Sequence, residues 1–244
     1  TALSSAVLIG QAYGTNLQFE KLAALGVAGS APVEVRTRVL YNPDLLSSYN
    51  MIPGLIGTIL MQTTMTLTSM SIVRERERGT MEQLIVTPIR NWELMIAKIT
   101  PYILVSMVNV VIILLVGTLW FGVPIRGSLV LLFLLTGLFI IPNLGIGLAI
   151  STAARTQQEA QMLTMPILLP SMFLAGFLFP IAALPAVLQL ISRVLPLTYF
   201  LVIVRSIIVK GTSFDLLLPE VTALAILAVV LVGFATLRFR KNLE

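Results

Sequence analysis

Two long stretches of this sequence, Met51 to Val73 and Ile99 to Val123, carry no charged side chain, and between them lies the run Arg74-Glu75-Arg76-Glu77-Arg78. A helix crossing a bilayer needs about 20 mostly apolar residues at about 1.5 Å each, and both stretches meet that length. So dense a cluster of charge cannot sit in hydrocarbon, so it is expected at a membrane surface. The composition fits: 57% of residues are hydrophobic and 11% charged, against about a quarter charged in soluble domains, and the mean hydropathy is +0.97. The fold class that follows is an all-α membrane protein, a polytopic helical bundle.

Five spans are expected, over about 51–73, 99–121, 128–150, 162–180 and 217–237. The turn Gly122-Val123-Pro124-Ile125-Arg126-Gly127 makes the second and third an antiparallel hairpin. The fourth holds Pro166 and Pro170, so it is expected to kink and to pack against neighbours that satisfy the freed carbonyls. Between 180 and 211 the apolar pieces are too short to cross and are punctuated by Pro185, Arg193 and Pro196; their length predicts short outer re-entrant or interfacial helices. Lysines and arginines in the short loops favour the side of Arg74 as cytoplasmic, with residue 1 outside and the C-terminus inside. Residues 1–50 differ in character. Ala2 to Leu25 reads as an amphipathic helix, and Val33-Glu34-Val35-Arg36-Thr37-Arg38-Val39 alternates as a strand does. A lone strand is unstable in water, so this segment reads as a small α/β remnant, the C-terminal part of an extracytoplasmic domain. Thr1 is no initiator methionine, and upstream residues including a first span are expected to precede it.

The segment 74–98 carries the clearest local signals. Thr80 and Gln83 fit a capping box, Pro88 ends the helix they start, and Asn91 is placed to cap another with Glu93 in its first turn. Met81, Leu84 and Ile85 share one face at helical spacing. A docking helix over Thr80–Val86 competes with an ordinary loop, and the run Arg74–Arg78 competes with a solvated helix end carrying pairs such as Glu75–Arg78.

Several chemistries are excluded. Histidine and cysteine are both absent, which removes the commonest general base, the commonest metal ligand and any disulfide framework. No phosphate loop of the G-x-x-x-x-G-K-[ST] type occurs, so no nucleotide is expected on this chain. Gly145-Ile146-Gly147 lies inside a span and reads as a site of close helix packing, not a dinucleotide fingerprint. The five span centres hold no carboxylate: Glu159 lies near a span end, and Asp215 and Glu220 flank the entry to the last span. That argues against a proton- or sodium-driven carrier. Polar span residues are hydroxyls and amides. They serve either interhelical hydrogen bonds or a polar substrate path, for which Gln62, Thr66, Asn109 and Asn143 are the candidates. The net charge of +5 is spread over loops and reports topology, so no nucleic-acid partner is expected.

An ordered series of motifs resembles a known family. Tyr41-Asn42-Pro43, Ser47-Ser48-Tyr49 and Pro53-Gly54-Leu55-Ile56-Gly57 resemble the approach to the second span of ABC-2 type export permeases. The run from Val73 through Arg78-Gly79-Thr80-Met81-Glu82-Gln83-Leu84 to Thr87-Pro88-Ile89-Arg90 resembles that family's cytoplasmic segment. Phe121-Gly122-Val123-Pro124 with Arg126-Gly127-Ser128 resembles its outer turn. Leu169-Pro170-Ser171, Gly176-Phe177, Phe179-Pro180 and Leu195-Pro196-Leu197-Thr198-Tyr199-Phe200 resemble its late region, with Leu195 where members often carry Asn. The resemblance covers about residues 33–240. It implies an ABC-2 transmembrane domain over 51–244 that lacks the family's first span and most of its outer domain. It implies a permease that hydrolyses nothing itself, pairs with a second permease, identical or related, and binds cytoplasmic ATPase subunits that carry the ATP and magnesium. It gives Thr80, Met81, Glu82, Gln83, Leu84 and Ile85 the role of a coupling helix, and a bacterial-type inner membrane as the location. Substrates of such permeases include drugs, lipids, polysaccharides and ions. A secondary carrier or channel, or a non-transporting scaffold that recruits cytoplasmic partners, is the alternative.

Overall fold

A computed structural model describes residues 47–79 and 91–240, with side chains described for 47–79 and 100–236. The expected N-terminal remnant and the segment Thr80–Arg90 lie outside the described residues. Within them every regular element is a helix, with no strand. The long helices are α1 (Ser48–Glu77), α2 (Asn91–Leu119), α3 (Leu129–Ala153) and α4 (Gln157–Leu174). A 3-10 turn at Ile181–Ala183 precedes two short helices, α5 (Ala186–Ser192) and α6 (Pro196–Arg205), the latter continuing as a π-helical turn over Ser206–Lys210. A 3-10 turn at Phe214–Leu217 then leads into α7 (Leu218–Arg240). Over the described residues the chain is an all-α, polytopic membrane protein.

Among the described residues, four helices are long and apolar enough to cross a bilayer: α1, the 100–119 part of α2, α3, and the run 214–236 that includes α7. The expected spans at 51–73, 99–121, 128–150 and 217–237 fall within or against these. The span expected at 162–180 is displaced. Helix α4 starts at Gln157, because the Thr156 side chain caps the Glu159 amide, and it stops at Leu174. Its 18 residues make a rod of about 27 Å at the usual rise, and its polar first turns make it less apolar than the other long helices. The bent pair α5 and α6, including its π turn, makes an angle of 81°.

Helices α1 and α3 form the centre. About half of each apolar window is buried (56% and 50%), against 22% for α2 and 17% for α7. Helix α3 packs on α1 along one side and on α7 along another, while α1 also carries α2, α4 and α6. The two glycines read as packing residues are the reason the contacts are close. A Cβ on Gly147 would lie 2.9 Å from the Met65 carbonyl oxygen, and one on Gly145 would lie 3.0 Å from the α7 backbone at Leu231 and Val232. Small residues let helix backbones approach where lipid offers no hydrophobic drive. Phe139 on α3 stacks on Phe200 of α6, rings parallel and 4.0 Å apart. The α2–α3 turn is closed by the Val123 amide donating to the Gly117 carbonyl and is tied sideways by the Arg126 amide donating to the Ile208 carbonyl.

The path after α4 is set by contacts with the end of the bundle where α1 begins. Phe177 packs against Gly54, near the start of α1. The Arg205 guanidinium donates to the Gly176 carbonyl at 2.8 Å, the Ser192 hydroxyl donates to the Leu174 carbonyl, and Ile208 meets the α2–α3 turn. The opening of α4, at Gln157, lies instead beside Glu77 at the other end of α1. So α4 lies along α1 from Glu77 towards Gly54, and the chain from Gly176 to Gly211 leaves and rejoins the same end of the bundle.

Candidate functional site: the charged end of α1

The helix of α1 runs past its apolar stretch and carries the charge cluster as its last turn. Arg78 is the C-cap, and Gly79 takes φ +67°, the left-handed conformation that commonly ends a helix. The cluster is a helix end, as one reading of the sequence has it, but its described hydrogen bonds go to a turn far away in sequence. Arg76 donates to the Ala154 carbonyl at 3.2 Å. Arg74 Nε donates to Gln157 Oε1 at 3.0 Å. Glu77 accepts from the Gln157 amide at 3.0 Å and from the Gln157 side chain at 2.6 Å.

These contacts meet the needs of two helix ends. Ala154 is the C-cap of α3, where carbonyls lack helical partners and positive charge is favoured; Gln157 opens α4, where amides lack partners and negative charge is favoured. Arg76 meets the first need and Glu77 the second. Thr156 and Glu159 complete the turn, since the Thr156 hydroxyl accepts from the Glu159 amide and the Glu159 carboxylate accepts from the Arg155 amide at 2.8 Å. Glu77 lies beyond the apolar stretch, and its carboxyl is held below the ordinary 4.5, first by the two Gln157 hydrogen bonds and then by Arg74 and Arg78 nearby. The result is a polar clamp joining the end of α1, the end of α3 and the start of α4.

The sequence reading missed Ala154, Thr156 and Gln157 as partners. Thr156-Gln157-Gln158-Glu159 does fit the Ser/Thr-x-x-Glu cap pattern, which marks the start of α4. Its pairing with Glu77, 80 positions away, has no local signal. The expected coupling residues Thr80, Met81, Glu82, Gln83, Leu84 and Ile85 lie outside the described residues, directly after Gly79. Helix α2 begins at Asn91 and runs without a break into the second span.

The candidate path residues are scattered. Asn143 is fully buried, and its amide donates to the Phe139 carbonyl of its own helix at 2.7 Å. Thr66 and Asn109 are half-buried and Gln62 is exposed. No described hydrogen bond joins these four. The expectation of interhelical hydrogen bonds holds for few hydroxyls. Thr64 and Ser106 link α1 to α2 at 3.1 Å. Thr58, Thr63, Thr136, Ser151 and Ser171 instead bond carbonyls one turn back, a local partner available to any helical hydroxyl. Asn143 Oδ1 and Thr68 Oγ1 are buried without a partner. Among the described residues no cluster of acids has the make-up of a metal site.

Residues 1–237 match the family described as "ABC-2 family transporter protein". The chain belongs to the ABC-2 transporter family. Its relatives include the "Probable multidrug ABC transporter permease YbhS" of Escherichia coli K12, 37% identical over 213 residues, which covers 87% of this chain and 56% of that protein. The "Probable multidrug ABC transporter permease YbhR" of the same organism is 31% identical over 86% of this chain and 57% of its own length. The "Inner membrane transport permease YhhJ", also from that organism, is 34% identical over the same two shares, 86% and 57%. The chain thus spans a little over half the length of these relatives.

Proposed function

We propose that this chain is the membrane-spanning part of a permease that exports a drug-like, lipid or other substrate from the cytoplasm, driven by ATP hydrolysed on separate ATPase subunits. The observation that carries the reading is membership of the ABC-2 family across nearly the whole chain, and relatives named as multidrug permeases support it. The exporter sits in a bacterial-type inner membrane with the charged end of α1 in the cytoplasm, and a second permease completes it. Five crossings are made by α1, α2, α3, α4 and α7. Helix α4 is counted because it runs from the level of Glu77 to that of Gly54; the pair α5 and α6 is an outer re-entrant excursion because it leaves and rejoins the same bundle end.

In this reading Thr80–Ile85 is the coupling helix, and the clamp is the route by which its motion enters the bundle. A push on the segment reaches α1 across Gly79, then α3 and α4 through Arg76, Glu77 and Gln157. The test is transport by inside-out membrane vesicles that hold the full-length protein and its ATPase. Uptake of a dye substrate is expected on addition of ATP and not on addition of a proton or sodium gradient alone. Uptake driven by the gradient without ATP would favour a secondary carrier and reject the proposal.

A further inference from the structure

An apolar groove of about 200 Å³ runs between α2 and α3 at the end where the two helices join, lined by Val111, Leu114, Leu115 and Thr118 from α2 and by Ile125, Leu129 and Phe133 from the turn and α3. Its one hydroxyl, Thr118, is turned inward and donates to the Leu114 carbonyl at 2.7 Å, so the wall offers nothing to water. Arg126 follows Ile125 at the mouth. Its backbone is fixed by the bond to Ile208, and Gly211 is close enough that a Cβ there would lie 3.1 Å from the Arg126 carbonyl oxygen, which brings Lys210 to the same rim. Both cations are exposed. Among the described residues neither side chain forms an ion pair or hydrogen bond, although Asp215 and Glu220 lie at this end of the bundle at the start of α7.

We propose that this groove with its two cations is a binding site for one anionic phospholipid, an acyl chain lying along Leu115 and Phe133 and the phosphate held by Arg126 and Lys210. The apolar wall at membrane depth suits a chain, and guanidinium pairs with phosphate through two parallel hydrogen bonds. Two cations without an ion pair among the described residues, at a membrane–water boundary, give a zwitterionic lipid no comparable attraction. The site depends on the chain being in a membrane and not on the direction of transport, so its failure would leave the exporter reading untouched.

Trp120 provides the probe, since it is 85% exposed and two residues beyond the groove wall at Thr118. The full-length protein stripped of every tryptophan but Trp120 is reconstituted in phosphatidylcholine vesicles containing a small fraction of brominated phosphatidylglycerol or, in parallel, brominated phosphatidylcholine. Quenching by the anionic lipid is expected to exceed that by the zwitterionic one by about twofold or more. The preference should vanish in the double variant Arg126→Gln with Lys210→Gln and survive in Arg126→Lys. Equal quenching by the two lipids, or a preference that persists in the double variant, would overturn the site. So would protection of Trp120 from both lipids together with cross-linking of Thr118→Cys between two chains, because a second copy would then fill the groove.

Discussion

Glu77 is the residue on which the clamp turns, because it takes both hydrogen bonds from Gln157 while its neighbours Arg74 and Arg76 reach the same turn. Its carboxyl is depressed below 4.5 in the folded protein, so its contribution is present above that value and is lost as pH falls through the lower, folded value. Glu77→Gln is therefore expected to lower the melting temperature in detergent by a constant amount at every pH above 4.5, with the gap to wild type closing in more acid solution. A gap that persists unchanged in acid would mean that the carboxylate is not the partner. Residues joined in one network do not act additively. Gln157→Ala should thus cost much less in a Glu77→Gln background than in wild type, measured as a double-mutant cycle of melting temperatures.

Among the elements, α3 is the one that the others are built around, and the close contact at Gly145 and the open space at Gly233 predict opposite effects of substitution. Gly145→Val places atoms against the α7 backbone, and overpacking of this kind costs about 1–3 kcal/mol. Gly233→Ala, on α7 with nothing within 4 Å of the new Cβ, should instead gain about 0.5–1 kcal/mol from the lower freedom of the unfolded chain. Unfolding of the two variants in mixed detergent compares them directly, and equal destabilisation would remove the packing argument. Gly145 and Gly147 could be read from the sequence because a span leaves them few other uses. The bounds of α1, α3 and α7 were legible within a few residues for a similar reason: a long apolar run with little charge has one reading at that length. The bounds of α4 were not. Its start depends on the cap at Thr156 and its end on the turn at Gly176, and both signals are weak beside the hydropathy of Met162 to Pro180. The clamp was the least legible feature, since the run Arg74–Arg78 says that charge sits at a surface but not that it meets Gln157. The scattering of Gln62, Thr66, Asn109 and Asn143 has a similar cause, because a hydroxyl or amide in a helix can be satisfied within its own turn.

For the whole molecule, the account requires that the two ends of the bundle face opposite sides of the membrane. The chain contains no cysteine, so single cysteines can be placed and labelled with an impermeant thiol reagent in intact cells. Arg126→Cys and Val187→Cys should label from outside, and Glu77→Cys only after the membrane is opened. Labelling of Arg126→Cys without Val187→Cys would make the pair α5 and α6 a crossing instead of a re-entrant excursion.

The central claim is that ATP hydrolysis by a partner enters this chain through the segment after Gly79. At helical spacing Leu84 would share one apolar face with Met81 and Ile85, and truncation or charging of a buried anchor in a small interface typically costs about 2 kcal/mol or more. The decisive measurement is ATP turnover by the ATPase reconstituted with full-length Leu84→Asp protein, alongside co-purification of the two subunits. The account predicts a well-expressed, correctly inserted variant that retains little ATPase on purification and shows no substrate-stimulated turnover. Normal co-purification with normal stimulation would contradict it and leave the segment an ordinary loop.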